Sequence, residues 1–405
     1  MTPRTPARQP LRVAILGLGT VGGAVAEALL RRSADLAHAT GGRPIHLVAV
    51  GVRDPDRRRA VDIPRGIVRS ADLMAVATDP TVDVVVELVG GTDPAGDLIS
   101  AALGGGRAVV TANKALLARR GAELEAEARR TGAALRFEAA VGGGIPVLGP
   151  LSTDLAANRW SALSGIVNGT TNFILTAMSE GGWDYASVLA DAQSRGYAEA
   201  DPSGDVEGRD AADKLAILVR LAFGDWPDVA AIRLAPPAVE GDGAPGITGV
   251  TAELIAAAEE LELVIKLVAY ARRAADGVIG AAVVPVAVPA DQALARIGGV
   301  TNVIELVGEP IGRLRVSGPG AGGEATSSAV LGDLIAIARG RGPTWGGLPM
   351  AGTMHHLDDP LADVFRWFHV GPDGGAVTEP LTLSDARTHL ASAGGRTALY
   401  PVVEG

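Results

Sequence analysis

The sequence predicts an α/β protein: a doubly wound parallel sheet followed by an α+β second domain. Three observations carry this. Over the first third of the chain, short continuously apolar runs alternate with alanine-rich segments of helical spacing, the pattern of parallel strands covered by helices on both faces. Hydrophobic residues make up 47% of the chain but aromatic ones only 3%, so the core is built from aliphatic layers, as parallel sheets usually are. The first apolar run also stops at a glycine cluster that opens a helix.

Taken in order, Leu11–Leu16 reads as the first strand and Val21–Leu30 as the helix after it. His46–Val52, Asp83–Leu88, Ala108–Thr111 and Leu135–Val141 repeat the strand theme, and Ala115–Arg130 is helical. This domain closes near Gly144-Ile145-Pro146, giving residues 11–146 after a flexible, proline-bearing start at 1–10. Residues 147–325 read as the second domain. In it Trp160–Val167, Gly277–Val288 and Asn302–Val307 are strand-like, while Thr171–Ser179, Tyr185–Arg195 and Asp210–Phe223 are helical. The turn Gly318-Pro319-Gly320-Ala321-Gly322-Gly323 leads into a helix from about Thr326 to Arg339, so residues 326–340 are expected to return to the first domain. Residues 341–405 read as a loosely specified tail with two strands and one helix.

Composition excludes several classes. There is no cysteine, hence no disulfide framework, thiolate metal site or catalytic thiol. The net charge of -10 argues against a nucleic-acid binder, which normally presents a basic face. The start lacks an apolar signal region and no run of about 18 apolar residues occurs, so a cytoplasmic protein is expected.

Gly17-Leu18-Gly19-Thr20-Val21-Gly22 fits G-x-G-x-x-G between a strand and a helix, the context a dinucleotide site requires. Gly17 allows the tight turn, Gly19 the approach of a pyrophosphate, and Gly22 close packing of helix on strand. The helix N-terminus offers N–H groups and a positive dipole end to phosphate. After the second strand comes Arg53, with Asp54 next and Arg57, Arg58 and Arg59 close behind. A basic residue here suits a 2′-phosphate, so NADP is expected, with NAD as the alternative.

The candidate chemistry lies in Glu199–Lys214. Asp210 and Lys214 are four apart and share a helical face with Ile217 and Leu221, so they are expected to point inward. Arg209, Asp213 and Arg220 fall on another row, expected to face solvent. An inward Lys beside a carboxylate can give a proton to a developing alkoxide; a plain surface ion pair is the competing reading. Lys114 follows the fourth main strand, at the carboxyl end where ligands of open α/β sheets sit. Glu138 precedes a glycine-rich turn whose carbonyls could hold a hard cation, or which could serve only as a hinge.

Together these motifs resemble the homoserine dehydrogenase family from about Leu11 to Arg339. The matching stretches are Gly17–Gly22, Val86–Gly91, Val110–Leu117, Phe137–Pro146, Gly165–Asn172, Gly196–Lys214 and Ser317–Gly323. The Asn168-Gly169-Thr170-Thr171-Asn172 block and the Gly196–Pro202 block are the most specific. The resemblance implies a Rossmann-type nucleotide-binding domain and a catalytic and dimerisation domain. It implies NAD(P)-dependent interconversion of L-aspartate 4-semialdehyde and L-homoserine, in threonine and methionine biosynthesis, by a homodimer. Lys214 then matches the proton-transferring Lys and Lys114 the second active-site Lys. Asp210, Glu199 and Asp205 match substrate-binding carboxylates. Thr20, Val21, Gly196 and Gly322 match cofactor-lining positions, beside Gly17, Gly19, Gly22 and Arg53. Glu138 with the carbonyls of Val141, Gly143 and Ile145 matches a structural sodium site. The tail departs from the pattern: Phe365–Val370 is followed by Gly371-Pro372-Asp373-Gly374-Gly375 rather than an Asp-x-Pro-Gly turn, so no complete ACT-type regulatory domain is expected.

The rival readings are an acylating aldehyde dehydrogenase, which needs a thiolate and fails for want of cysteine, an amino-acid dehydrogenase acting on an imine, and a catalytically silent nucleotide binder. Both Lys114 and Lys214 are present, which speaks against the last.

Overall fold

The computed structural model describes residues 9–391 and 397–403; the start at 1–8, expected to be flexible, lies outside the described residues. The chain divides into two compact units. The first runs through Ala157 and adds Gly224–Trp226 and Ala321–Thr353; the second comprises Asn158–Phe223, Pro227–Gly320 and the chain from Met354 on.

In the first unit, β1 (Leu11–Leu16), β2 (Ile45–Gly51), β3 (Val68–Ser70), β4 (Val84–Glu87), β5 (Ala108–Thr111) and β6 (Leu135–Arg136) form a six-stranded sheet in the order β3-β2-β1-β4-β5-β6. Every described pairing in it is parallel. The expected doubly wound sheet is therefore present, with its order reversing between β1 and β4, the switch point outside which such sheets bind ligands. All four residues of β4 are buried, which is why it reads as a run of valines rather than an alternating strand. α1 (Thr20–Arg31), α2 (Ser33–Ala39), α3 (Leu73–Thr78), α4 (Ala95–Gly104), α5 (Lys114–Thr131) and α6 (Leu148–Ser152) connect or cover the strands. Gly121 in the middle of α5 costs helix stability, and a contact explains it. A Cβ there would stand 2.7 Å from the Trp226 ring, whose Nε1 donates to Glu125 Oε2 at 3.0 Å.

The second unit starts with β7 (Arg159–Ile166), then α7 (Gly169–Gly181), α8 (Tyr185–Ser194), the single turn α9 (Ser203–Val206) and α10 (Arg209–Phe223). β8 (Trp226–Pro227) ends the chain's short return to the first unit; after it and α11 (Ala252–Glu259) come the long strands β9 (Leu263–Arg273), β10 (Ile279–Pro289), β11 (Thr301–Glu309) and β12 (Gly312–Pro319). Strand β9 and α11 carry no clear periodicity and are missing from the sequence reading. β9 is buried over most of its length, so no polar alternation marks it.

The helix α12 (Gly323–Ala338) belongs to the first unit. There its Val330, Leu331 and Leu334 join one core cluster with Val25 and Leu29 of α1. The tail is more ordered than its composition suggests. After the short β13 (Thr353–Met354), β14 (Arg366–Gly371), β15 (Gly374–Val377), α13 (Leu383–His389) and β16 (Tyr400–Val402) follow. The last three strands complete an eight-stranded mixed sheet, β12-β11-β7-β9-β10-β16-β14-β15. Trp367 and Leu399 are fully buried and share a core cluster with Val284 and Val286 of β10. From Met354 on, the tail thus extends the second unit's sheet instead of forming a loose appendage.

Candidate active site

The turn after β1 is built by steric necessity. Gly17 has φ +97°, and a Cβ there would lie 2.5 Å from the Leu88 carbonyl oxygen. A Cβ on Gly22 would lie 2.0 Å from the Gly17 carbonyl oxygen. Gly19 differs: a Cβ there meets nothing within 4 Å, so this position is open on the side a ligand would take. Gly19 is the N-cap of α1, and no side-chain hydrogen bond caps that end, which leaves first-turn N–H groups for an anion. A cleft of about 1000 Å³ opens here, lined by Gly17, Gly19, Thr20, Arg53, Leu73 and Gly323 among others. Arg57, Arg58 and Arg59 border it with Arg53. These residues fit a dinucleotide: a cradle without side chains for the pyrophosphate and guanidinium groups further along. Val21 packs against the core instead of lining the cleft, contributing its backbone to the first turn. Gly322 has φ +116° and is the N-cap of α12, whose next residues Gly323 and Glu324 reach the cleft.

At the carboxyl ends of β4 and β5 a closed network holds two loops. The Glu87 carboxylate is fully buried. It accepts N–H bonds from Val89 (2.8 Å) and Gly90 (3.1 Å) and the Thr111 hydroxyl at 2.6 Å. Asn113 N–H donates to Thr111 Oγ1, its Nδ2 donates to the Gly91 carbonyl at 2.6 Å, and its Oδ1 caps α5. Lys114, half-buried, is the first residue of that helix, so its start is fixed from both sides. Glu87 carries no role in the sequence reading; the only signal for it was a charged residue closing a valine run.

The Glu138 carboxylate accepts N–H bonds from Val147 (2.7 Å), Leu148 (2.9 Å) and Gly149 (2.6 Å). Val141, Gly143 and Ile145 are buried beside it, and Gly142 and Gly143 have φ of 71° and 56°. Behind this turn Asp333 pairs with Arg136 at 2.7 Å and accepts the Glu138 N–H at 2.9 Å. Burial pushes the Asp333 carboxyl up to about 6, more than Arg136 holds it down.

In the second unit, Lys214 and Asp210 do point inward. The Lys214 ammonium donates to Asp210 Oδ2 and to the Val167 carbonyl, both at 2.7 Å, and the two side chains are only 11% and 12% exposed. A surface ion pair is excluded. Asn168 joins them: its Nδ2 donates to Asp205 Oδ1 (2.7 Å) and Asp210 Oδ2 (2.8 Å), while its Oδ1 caps α7 through Thr171 N–H. One Asn therefore orients two carboxylates. Asn168 and the Val167 carbonyl are absent from the candidates named on sequence, although the Asn-Gly-Thr-Thr-Asn block contains the first. Glu199 is exposed and Gly196, at φ +74°, follows α8; no described bond of either reaches the Lys214 cluster. The solvent row expected on α10 is corrected: Arg209 is exposed, but Asp213 and Arg220 are buried at 5% and 0%. The helix is covered on every side after its first turn, so periodicity could not tell an inner from an outer row.

Two family models cover most of the chain: one described as homoserine dehydrogenase matches residues 146–335, and one described as homoserine dehydrogenase, NAD binding domain matches residues 17–138. The chain belongs to the homoserine dehydrogenase family. The Synechocystis homoserine dehydrogenase is 43% identical over 337 residues, 81% of this chain and 73% of that protein. A crystal structure of a homoserine dehydrogenase from Thiobacillus denitrificans superposes with a TM-score of 0.86 at 32% identity, covering 98% of each chain. A hyperthermophilic archaeal homoserine dehydrogenase in complex with NADPH gives a TM-score of 0.66 at 27% identity, over 81% of this chain and 97% of that one. Membership of the homoserine dehydrogenase family makes this chain an oxidoreductase, NAD(P)-dependent, that interconverts L-aspartate 4-semialdehyde and L-homoserine. Among the described residues no helix is long and apolar enough to cross a membrane.

Proposed function

We propose that Lys214 is the proton donor to the aldehyde oxygen when aspartate 4-semialdehyde is reduced, and the acceptor in the reverse reaction. The observation that carries this is the use of the ammonium's three hydrogens. Among the described residues two are committed, to Asp210 and to the Val167 carbonyl, and the third is left for a substrate oxygen. A nicotinamide dinucleotide held at the Gly17–Gly22 turn and beside Arg53 would supply the hydride. Asp210 holds the ammonium in place through their 2.7 Å bond. On this reading Asp205 and Glu199 bind the substrate's α-ammonium, and Lys114 serves as the second active-site lysine. General acid help of this kind is worth roughly 10²–10⁴-fold, so Lys214→Ala should lose on the order of 3–5 kcal/mol of transition-state stabilisation. Absorbance at 340 nm with homoserine and either NADP or NAD tests the reaction; a folded Lys214→Ala protein with near-normal turnover would reject the role.

NADP is the preferred cofactor on this reading. Arg53, Arg57, Arg58 and Arg59 gather at one side of the cleft, where a 2′-phosphate needs positive charge.

A monovalent cation such as sodium at Glu138 and the carbonyls of Val141, Gly143 and Ile145 is proposed on the two left-handed glycines that turn that loop. Glu138 already accepts three N–H bonds, so its structural role stands with or without the ion. Exchanging sodium for choline is expected to lower the melting temperature; an unchanged melt would reject the site. A cytoplasmic homodimer is the proposed working form; light scattering should give twice 41.0 kDa.

A further inference from the structure

Asn302 lies at the start of β11, fully buried. Its Nδ2 donates to the Val167 carbonyl at 3.0 Å, the same oxygen that accepts the Lys214 ammonium at 2.7 Å. Both lone pairs of that carbonyl are thereby filled. The other end of the amide is unusual. Asn302 Oδ1 is buried and, among the described residues, has no hydrogen-bond partner. An orphaned buried acceptor is costly, and an apolar side chain of the same shape would remove that cost. The space is also tight: a Cβ on Gly320 would come 2.1 Å from the Asn302 amide. The bonded end of the amide is thus the one on the Val167 carbonyl, and a Cβ on Gly320 would crowd the amide that makes it.

We infer that Asn302 is a positioning residue for the proton transfer: by holding the Val167 carbonyl it fixes where the Lys214 ammonium sits and where its uncommitted N–H points. This rests on the role proposed for Lys214. Without the Asn302 donor, the Val167 peptide is held on one side only, and the ammonium that leans on it gains freedom. Misplacement of a reacting group by a fraction of an ångström to 1 Å costs roughly ten- to a hundredfold in rate. The donor set at this carbonyl predicts a loss in turnover rather than in substrate binding, because Asp205 and Asp210 remain bridged by Asn168.

The test compares Asn302→Leu, Asn302→Ala and Lys214→Ala with the parent enzyme, measuring melting temperature, kcat and KM for homoserine and NADP, and the solvent isotope effect on kcat. Asn302→Leu is expected to keep or raise the melting temperature, to lower kcat about tenfold or more, to leave both KM values within about threefold, and to raise the solvent isotope effect as proton transfer becomes limiting. Asn302→Ala, which fits beneath Gly320 in any case, should show the same kinetics with a lower melting temperature from the space it leaves. Normal kcat in a folded variant overturns the inference, as does a fall in kcat that only follows a fall in melting temperature. If Lys214→Ala is inactive while Asn302→Ala is normal, the positioning role alone fails. If Lys214→Ala is itself active, the proton-donor reading fails and this inference with it.

Discussion

Lys214 Nζ and Asp210 Oδ2 lie 2.7 Å apart on a helix that is buried after its first turn. Removing one partner of such a pair leaves an uncompensated buried charge, a larger loss than at an exposed pair. Asp210→Asn keeps the size and an acceptor for the ammonium but removes the charge. The expected result is a kcat loss of about 10–100-fold, corresponding to roughly 1.5–3 kcal/mol for a hydrogen bond to a charged group. Steady-state kinetics in both directions, with circular dichroism to confirm folding, checks it.

The fingerprint glycines should separate cleanly. Gly22→Ala drives a Cβ to 2.0 Å from a backbone oxygen, so it should both destabilise the protein and abolish cofactor binding. Gly19→Ala meets no protein atom within 4 Å. It should fold with an unchanged melting temperature and lose cofactor affinity about tenfold or more, an effect on approach of the pyrophosphate alone. Titration by cofactor fluorescence beside thermal melts would distinguish the two.

Replacing Arg53 by Ala should raise the KM for NADP with little change for NAD. Each charge-assisted contact to a phosphate is worth about 1.5–3 kcal/mol, so the loss in NADP preference should be about tenfold or more. An equal effect on both cofactors would mean that Arg53 does not read the 2′-phosphate.

Asp333 gives a pH prediction. Its folded-state carboxyl is raised to about 6 from an ordinary 3.8, so the folded state binds this proton more tightly than the unfolded one. The stability it contributes is present below about pH 4 and is lost as pH rises through 6. Asp333→Asn cannot titrate. The parent should therefore lose stability relative to this variant between about pH 4 and 6, by up to roughly 3 kcal/mol. Denaturant melts of both proteins across that range would show it; a constant difference would mean that the carboxyl stays ionised.

How much of this was legible in the sequence depends on whether a side chain's setting is local. The doubly wound sheet was legible because its central strands β1, β2, β4 and β5 are short, apolar runs separated by helical segments, the first of them closed by Gly17. Gly22 could be justified beforehand, since the carbonyl that crowds it belongs to Gly17, five residues earlier, whereas the carbonyl that crowds Gly17 belongs to Leu88 and is brought there only by the folded sheet. The burial of Asp213 and Arg220 could not be foreseen, because helix α10 is enclosed by elements distant in sequence. The same holds for Glu87 and Asn302. Their partners, Thr111 for one and Val167 for the other, are brought near only by the folded sheets. The order in the tail was not legible because its strands are short, and β16 joins them to β10 only in the folded sheet.

The first unit is assembled from three separate stretches of chain, and this bears on synthesis at the ribosome. All six parallel strands emerge early, yet the apolar face of α1 that carries Val25 and Leu29 waits for Val330 and Leu334, which arrive only after most of the other unit has been made. Nascent chains fold from the N-terminus as they appear, so an oily stripe stays uncovered through that interval, a substrate for holding chaperones. A fragment ending near Ala157 should be insoluble by itself. A separately supplied peptide spanning Gly323–Ala338 should rescue it in part.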